Sequence, residues 1–340
     1  MLSRVELKNF GPLKDLKWNG LGSINLILGG NGAGKTFLLK SLYCVMRTLE
    51  EYKRGKEQRR AAEILADKLF WTFQPDKIGD LVSKGADSAL SCSVSMRDKG
   101  VENELFYNFG KDTTRQIALE NHIPNRSSNS VFLPAKEILS IHNIILTSRG
   151  VEKVFGFDDT YFDLARALTP PPKGGTNYSA FAKSRTQLKA ILGGKVELDE
   201  PSGSWTFKKG NQKFPIGVTA EGIKKIAILD TLLGNRFLST DSVIFIDEPE
   251  SALHPEAISK FLDIIFLLSE SGIQIFLASH SYFVVLKLYL VAQQKKISIP
   301  VISSQDDAWI CSDLIDGIPD NPVIDESIRL YKEEVGLVLS

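Results

Sequence analysis

The chain has 340 residues, enough for one large or two small domains, each able to bury a core. Lys+Arg and Asp+Glu both total 41, so no whole-chain attraction to nucleic acid or to an anionic membrane follows. The three cysteines, Cys44, Cys92 and Cys311, are odd in number and not spaced for a metal, which argues against a disulfide framework, and no apolar run approaches the roughly eighteen residues that span a bilayer. A reducing cytoplasm is the expected compartment. The N-terminus begins at once with strand-like alternation and does not read as a signal peptide.

In chain order, Val5, Leu7 and the Leu13–Leu16 stretch alternate with polar residues around Gly11-Pro12, which predicts an antiparallel hairpin. Next, the apolar run Ile24–Leu28 enters a glycine-rich loop formed by Gly29, Gly30, Asn31, Gly32, Ala33, Gly34, Lys35 and Thr36. This is the pattern G-x-x-x-x-G-K-[ST] after a strand and before a helix expected over Phe37–Met46, the context that a phosphate-binding P-loop requires. Glycines let successive N–H groups turn toward phosphates, and the helix start adds its positive dipole end. Lys35 then reaches the β- and γ-phosphates, and the Thr36 hydroxyl ligates Mg²⁺. The expected ligand is a nucleoside triphosphate.

Thr48–Leu69 reads as helical, with Lys53, Arg54, Lys56, Arg59 and Arg60 interleaved with Glu50, Glu51 and Glu57, the pattern of a solvated face with i,i+4 pairs. Antiparallel strands are expected at Leu90–Met96 and Glu104–Phe109, and the tract Ser130-Val-Phe-Leu-Pro-Ala is expected to end a further, buried strand. Lys136–Ala167 reads as mainly helical, and Thr169–Thr176, with three prolines and two glycines, as an exposed loop inside an inserted subdomain. A helix over Tyr178–Leu192, short strands at Lys195–Leu198, Trp205–Lys208 and Phe214–Ile216, and a helix over Ala220–Leu238 follow. In the last third, buried strands ending at Ile246 and Ala278 flank a helix over Pro255–Ser269, a βαβ unit with a right-handed crossover.

Asp247 and Glu248 stand where the first of these strands emerges, the end at which α/β sheets place ligands. Beside a P-loop, Asp247 is the residue to hold Mg²⁺, directly or through water, and Glu248 the one to orient and deprotonate the attacking water. His280, at the tip of the next strand, can hydrogen-bond the γ-phosphate and that water.

Gly-Gly-Asn-Gly-Ala-Gly-Lys-Thr, Val-Ile-Phe-Ile-Asp-Glu-Pro-Glu-Ser-Ala-Leu-His-Pro and Leu-Ala-Ser-His together resemble the Walker A, Walker B with D-loop, and switch-histidine motifs of ABC-type ATPases of the RecF/SMC/OLD-like branch. The opening Val-Glu-Leu-Lys-Asn-Phe-Gly-Pro-Leu is similar to that branch's first strand. The resemblance implies an α/β ATPase head with a mixed, largely parallel P-loop core sheet, an N-terminal antiparallel β part and an inserted helical subdomain. Its expected divisions are 1–135 (first part of the head), 136–218 (insertion) and 219–340 (second part of the head). It implies His280 as γ-phosphate sensor and a Q-loop glutamine that touches metal or water, for which Phe73-Gln74-Pro75 offers Gln74. It also implies a signature segment completing a partner's site, here Thr219–Lys225. In that segment Gly222 matches the pattern, Ala220 replaces the usual serine, and Lys224 or Lys225 could supply charge or be solvated.

From the resemblance follow ATP and Mg²⁺, an ATP-dependent head-to-tail homodimer and slow hydrolysis, while the balanced charge and the lack of a bilayer-length apolar run lead to the expectation of no membrane partner. The tract Phe132-Leu-Pro-Ala-Lys-Glu137 is similar to a segment of Septu-like and retron-associated defence ATPases, which implies regulation of a separate effector such as a nuclease or toxin. The alternative is a RecF-like repair ATPase on duplex DNA, and nucleic acid is a further candidate partner. The breakers between the P-loop and Asp247 exclude a long coiled coil. About sixty residues after His280 are too few for a further domain of ordinary size, so Asp306, Asp307 and Asp313 are expected to be surface acids, not a nuclease site.

Overall fold

The computed structural model describes residues 1–173, 179–199, 202–305 and 308–339. A hairpin of β1 (Leu2–Phe10) and β2 (Leu13–Asn19) leads to β3 (Ile24–Leu28), the P-loop and α1 (Lys35–Glu51), followed by α2 (Ala61–Phe73). Then come β4 (Leu90–Asp98), β5 (Val101–Phe109), β6 (Ala118–Asn121) and β7 (Val131–Leu133). The middle of the chain holds α3 (His142–Ile145), which runs into a π-helical stretch Leu146–Glu152, then α4 (Asp159–Leu168) and α5 (Ala182–Leu192). After β8 (Lys195–Asp199), β9 (Ser204–Lys209) and β10 (Gln212–Pro215) the chain alternates α6 (Glu221–Gly234), β11 (Val243–Asp247), α7 (Pro255–Glu270), β12 (Gln274–Ser279) and α8 (Tyr282–Lys295). It ends in β13 (Pro300–Gln305), β14 (Ala308–Asp313) and α9 (Pro322–Leu339). Among the described residues no helix is long and apolar enough to cross a membrane.

The central sheet has six strands in the order β14-β13-β3-β12-β11-β7, parallel throughout except for the edge strand β14. Every residue of β3, β11 and β12 is buried, as continuous apolar runs covered on both faces must be. Alternation along each strand divides them between two cores. Ile244, Ile246, Ile275 and Leu277 face α6, α7 and the middle lobe. Val243, Phe245, Phe276 and Ala278 face α1 and the antiparallel sheet β2-β1-β4-β5-β6. In that second core Phe245 stacks on Phe276 at 5.3 Å, with Trp18 and Tyr43 edge-on against them. Strands β8, β9 and β10 form a small separate sheet in the lobe.

Two local expectations are corrected, those of the Thr48–Leu69 and Ala220–Leu238 helices. The Thr48–Leu69 helix is broken, because Lys53 and Gly55 take left-handed backbone (φ 58° and 60°). The basic cluster therefore lies on a turn leading into α2 rather than on one helix face, and its pairs are Arg59 with Glu57 and Asp67, and Arg60 with Glu63. The stretch Lys136–Ala167 is mainly helical, as expected, in pieces separated at 153–158. The helix expected to reach Leu238 ends at Gly234. Of the breaker segment and the terminal acids, Gly174, Gly175, Thr176, Asp306 and Asp307 lie outside the described residues, as does Tyr178 at the expected start of the next helix. Asp313 is engaged structurally: its carboxylate accepts from the N–H groups of Ile299 (2.9 Å) and Ile315 (3.0 Å).

A buried ion network binds α1, α2 and α4. Lys68 lies 3.0 Å from both Glu51 and Asp163 and 3.2 Å from Asp159, Arg47 pairs with Glu50 and Glu51, and Arg149 pairs with Asp159 while stacking 3.6 Å over Trp71. Burial disfavours the Lys68 charge, but Asp163, Asp159 and Glu51 more than offset it and hold its pKa up. Such a network contributes little net stability relative to apolar packing, but it costs several kcal/mol to break one partner.

The cores carry the stability. Phe276→Ala, which deletes a fully buried ring, is expected to lower the free energy of unfolding by about 3–5 kcal/mol, read as a drop in the urea midpoint.

Candidate nucleotide site

The glycine-rich loop rises from the buried end of β3. Gly34, at the start of α1, has φ 98°, and a Cβ there would sit 3.0 Å from both Leu13 Cδ2 and Pro12 Cγ, so the chain can pass only as glycine. The first turn of α1 holds no acidic residue and no described side chain caps it, which leaves its N–H groups and positive dipole end free for an anion. Lys35 Nζ donates to the carbonyls of Gly29 (2.8 Å) and Gly30 (2.9 Å). Burial lowers its pKa, against the pull of Asp247, Glu248 and Glu250. The Ala33 N–H is directed at the Gly30 carbonyl (3.4 Å).

Two chain ends meet at Thr36. Its Oγ1 donates to Asp247 Oδ2 at 2.8 Å, while Asp247 Oδ1 is buried with no hydrogen-bond partner among the described residues. Burial raises the Asp247 pKa, and the Thr36 hydrogen bond works against that shift. A buried carboxylate oxygen without a partner, beside a hydroxyl, fits a divalent cation. Among the described residues no group of three or more His, Cys, Asp or Glu could hold a metal ion, so Thr36 and Asp247 would hold Mg²⁺ in the manner of sites that use one carboxylate together with substrate phosphates.

Glu248 follows directly, in a left-handed conformation (φ 48°). Its N–H donates to the Ala278 carbonyl (2.9 Å), and its Oε1 lies 3.3 Å from His280 Nδ1. Glu250, a residue that sequence reasoning passed over, ties the two strand ends together. Its Oε1 accepts from Ser279 Oγ (2.8 Å) and the His280 N–H (3.3 Å), and its Oε2 is buried without a partner among the described residues.

A pocket of roughly 580 Å³ is lined by Asn31, Gly32, Gly34, Lys35, Thr36, Gln74 and Glu248, with Pro12, Phe37 and Phe73 as an apolar wall; Asp247, Glu250 and His280 are not part of its lining. Gln74 caps α2 with φ 52°. Its Oε1 accepts from the Gly156 N–H (3.3 Å), and its Nε2 is buried with no described partner. Lys40 and Asp158 also line the pocket and pair at 2.6 Å. Lys40 was legible as the residue one turn after Thr36 on the same helix face; nothing in the sequence near Asp158 announces the contact.

Gly222 does not line this pocket. It is buried at the start of α6, where a Cβ would fall 2.7 Å from Leu253 Cδ2 and 3.1 Å from the Ala252 carbonyl, so close packing on the loop after β11 demands glycine. The expectation that Lys224 or Lys225 is solvated is corrected. Lys224 is 2% exposed and donates to Glu137 (3.1 Å), Ser140 (3.0 Å) and Glu221 (2.6 Å), and Lys225 is 6% exposed.

A protein-family model described as "AAA domain, putative AbiEii toxin, Type IV TA system" matches residues 97–286. This span holds Gly222, Asp247, Glu248 and His280 but not the P-loop. An ATP/GTP phosphatase of Helicobacter pylori is 22% identical over 322 residues, covering 83% of this chain and 85% of that protein. The DNA replication and repair protein RecF of Lactococcus lactis subsp. cremoris is 30% identical over 99 residues, covering 29% of this chain and 25% of RecF. Among solved structures, an Smc head bound to the C-winged helix domain of ScpA superposes with a TM-score of 0.55 at 14% identity, covering 92% of this chain and 97% of that one. The Smc head with an extended coiled coil bound to the C-terminal domain of ScpA, derived from Pyrococcus furiosus, gives 0.52 at 11% identity and covers 98% of both chains. The fold is therefore that of an SMC head: a mixed α/β sheet with a largely parallel core and an antiparallel part.

Calorimetric titration with ATP checks the site. Lys35→Ala is expected to weaken binding by roughly 100-fold or more, the loss of charge-assisted hydrogen bonds to phosphate. Asp247→Asn is expected to bind ATP with an affinity that no longer responds to Mg²⁺.

Proposed function

The chain belongs to the family described as "AAA domain, putative AbiEii toxin, Type IV TA system", and from that premise we propose that its ATP hydrolysis gates a separate effector protein in a toxin-like or defence system. At the coarser level it is an ABC-type P-loop ATPase, akin to RecF and SMC heads. The contact that carries the chemical reading is the Thr36–Asp247 hydrogen bond beside Glu248.

In the proposed reaction the loop N–H groups and Lys35 hold the β- and γ-phosphates. Thr36 and Asp247 would hold Mg²⁺, which when bound would supply charge neutralisation at the phosphate oxygens. Glu248 accepts a proton from water as its oxygen attacks the γ-phosphorus, and the bond from that phosphorus to the bridging oxygen breaks to leave ADP. His280, held by Glu250, hydrogen-bonds the γ-phosphate, and Gln74 offers its Nε2, which has no partner among the described residues, to the attacking water. The start of α6 around Gly222 meets the nucleotide of a second copy, so two chains close head-to-tail on ATP and reopen after hydrolysis. With Ala220 in place of a serine donor, turnover is slow. The effector reads the closed state.

Support for the output comes from the family description, and support for hydrolysis from the name of the Helicobacter pylori relative. The RecF match, together with the basic turn carrying exposed Lys53, Arg54 and Lys56, favours a second reading in which the reader is duplex DNA.

Two measurements test these readings. Glu248→Gln mixed with ATP is expected to double in solution mass while retaining uncleaved ATP; unchanged mass with ATP bound defeats the gating proposal. Duplex binding that is ATP-dependent and falls steeply with salt, with a slope near −0.9 per phosphate contact, selects the second reading over the first.

A further inference from the structure

Lys225 is a lysine buried where an apolar side chain would cost less. Its Nζ donates to the main-chain carbonyl of Glu248 at 2.5 Å. Glu248 is thereby held at both ends of its backbone, by the Ala278 carbonyl on its N–H and by Lys225 on its own carbonyl. It needs such holding, since its φ of 48° lies in a region that residues with a side chain adopt rarely. One turn earlier on the same helix, Gly222 packs directly on Ala252 and Leu253, so α6 and the 248–253 loop meet without a gap. Of the other charged groups on α6, Lys224 and Glu221 pair with each other, and Lys224 turns to Glu137.

We propose that Lys225 is a positioning residue of the hydrolysis, fixing the Glu248 backbone so that its carboxylate faces the attacking water. This rests on the reading of Glu248 as the general base. The groups that face Lys225 are Glu250, Asp247 and Glu248, and Lys35 is the second cation among the same three carboxylates. Burial pushes the Lys225 ammonium down to about 8, although each of these carboxylates acts the other way. A charged donor grips a carbonyl more strongly than a neutral one. The hold on Glu248 therefore loosens as pH rises through that value.

Steady-state ATPase kinetics of wild type, Lys225→Met, Lys225→Arg and Glu248→Gln, over a pH range bracketing the Lys225 value, test the inference. Lys225→Met is expected to lose roughly tenfold to a hundredfold in kcat with little change in KM, as a displaced general base would. Lys225→Arg is expected to recover most of the loss. Wild type is expected to show an alkaline fall in kcat near pH 8 that moves to higher pH in Lys225→Arg. An unchanged kcat in Lys225→Met, or equal damage to kcat and ATP affinity without rescue by arginine, overturns the inference while Glu248→Gln stays inactive. Turnover by Glu248→Gln instead overturns the assignment on which it rests. If Lys225→Met does not fold, the wild-type alkaline fall and its displacement in Lys225→Arg decide, and their absence overturns the inference.

Discussion

The candidate site depends on one hydrogen bond between residues 211 positions apart, Thr36 Oγ1 to Asp247 Oδ2. Nothing local brings them together. The parallel register does: Leu28 pairs with Ser279 and Ala278 with Asp247, so the C-terminal ends of β3, β12 and β11 lie side by side along one edge of the sheet. The P-loop, the Asp247-Glu248 pair and His280 each leave one of these ends. Their juxtaposition is thus a property of strand order, which the apolar faces of Phe245, Phe276, Ile246 and Leu277 hold from both sides.

A second constraint fixes what surrounds that edge. The Lys68, Arg47, Asp159 and Asp163 network joins the P-loop helix, the helix that ends at Gln74 and the lobe helix α4. Because α4 begins beside Asp158, which pairs with Lys40 inside the pocket, the lobe is fastened to the nucleotide site at the pocket wall itself. Lys40 and Gln74 thus each touch the pocket on one side and the lobe, at Asp158 and Gly156, on the other.

What could be read in advance was whatever carries a local backbone signature. Glycines before Lys35-Thr36, an apolar run ending in Asp247-Glu248 and another ending near His280 each announce a strand end with a polar group at its tip. The parallel α/β core followed from the same runs. Gln74 was reached only through resemblance, since a lone glutamine after a helix has no pattern of its own; the structure sets it in the pocket wall. The lysines after Gly222 were misread because burial of a charge depends on a tertiary partner, here Glu137 for Lys224 and the Glu248 carbonyl for Lys225. The basic residues after Glu51 were misplaced because Lys53 takes a left-handed conformation that its residue type does not advertise.

The proposed function has Thr36 and Asp247 act on one cation and thus on one step. A double-mutant cycle on kcat/KM for Mg²⁺-dependent ATP hydrolysis, using Thr36→Ala, Asp247→Asn and the pair, tests that directly. The account predicts strong non-additivity, with the double variant little worse than the worse single one. Losses that simply multiply would show two independent roles and contradict it.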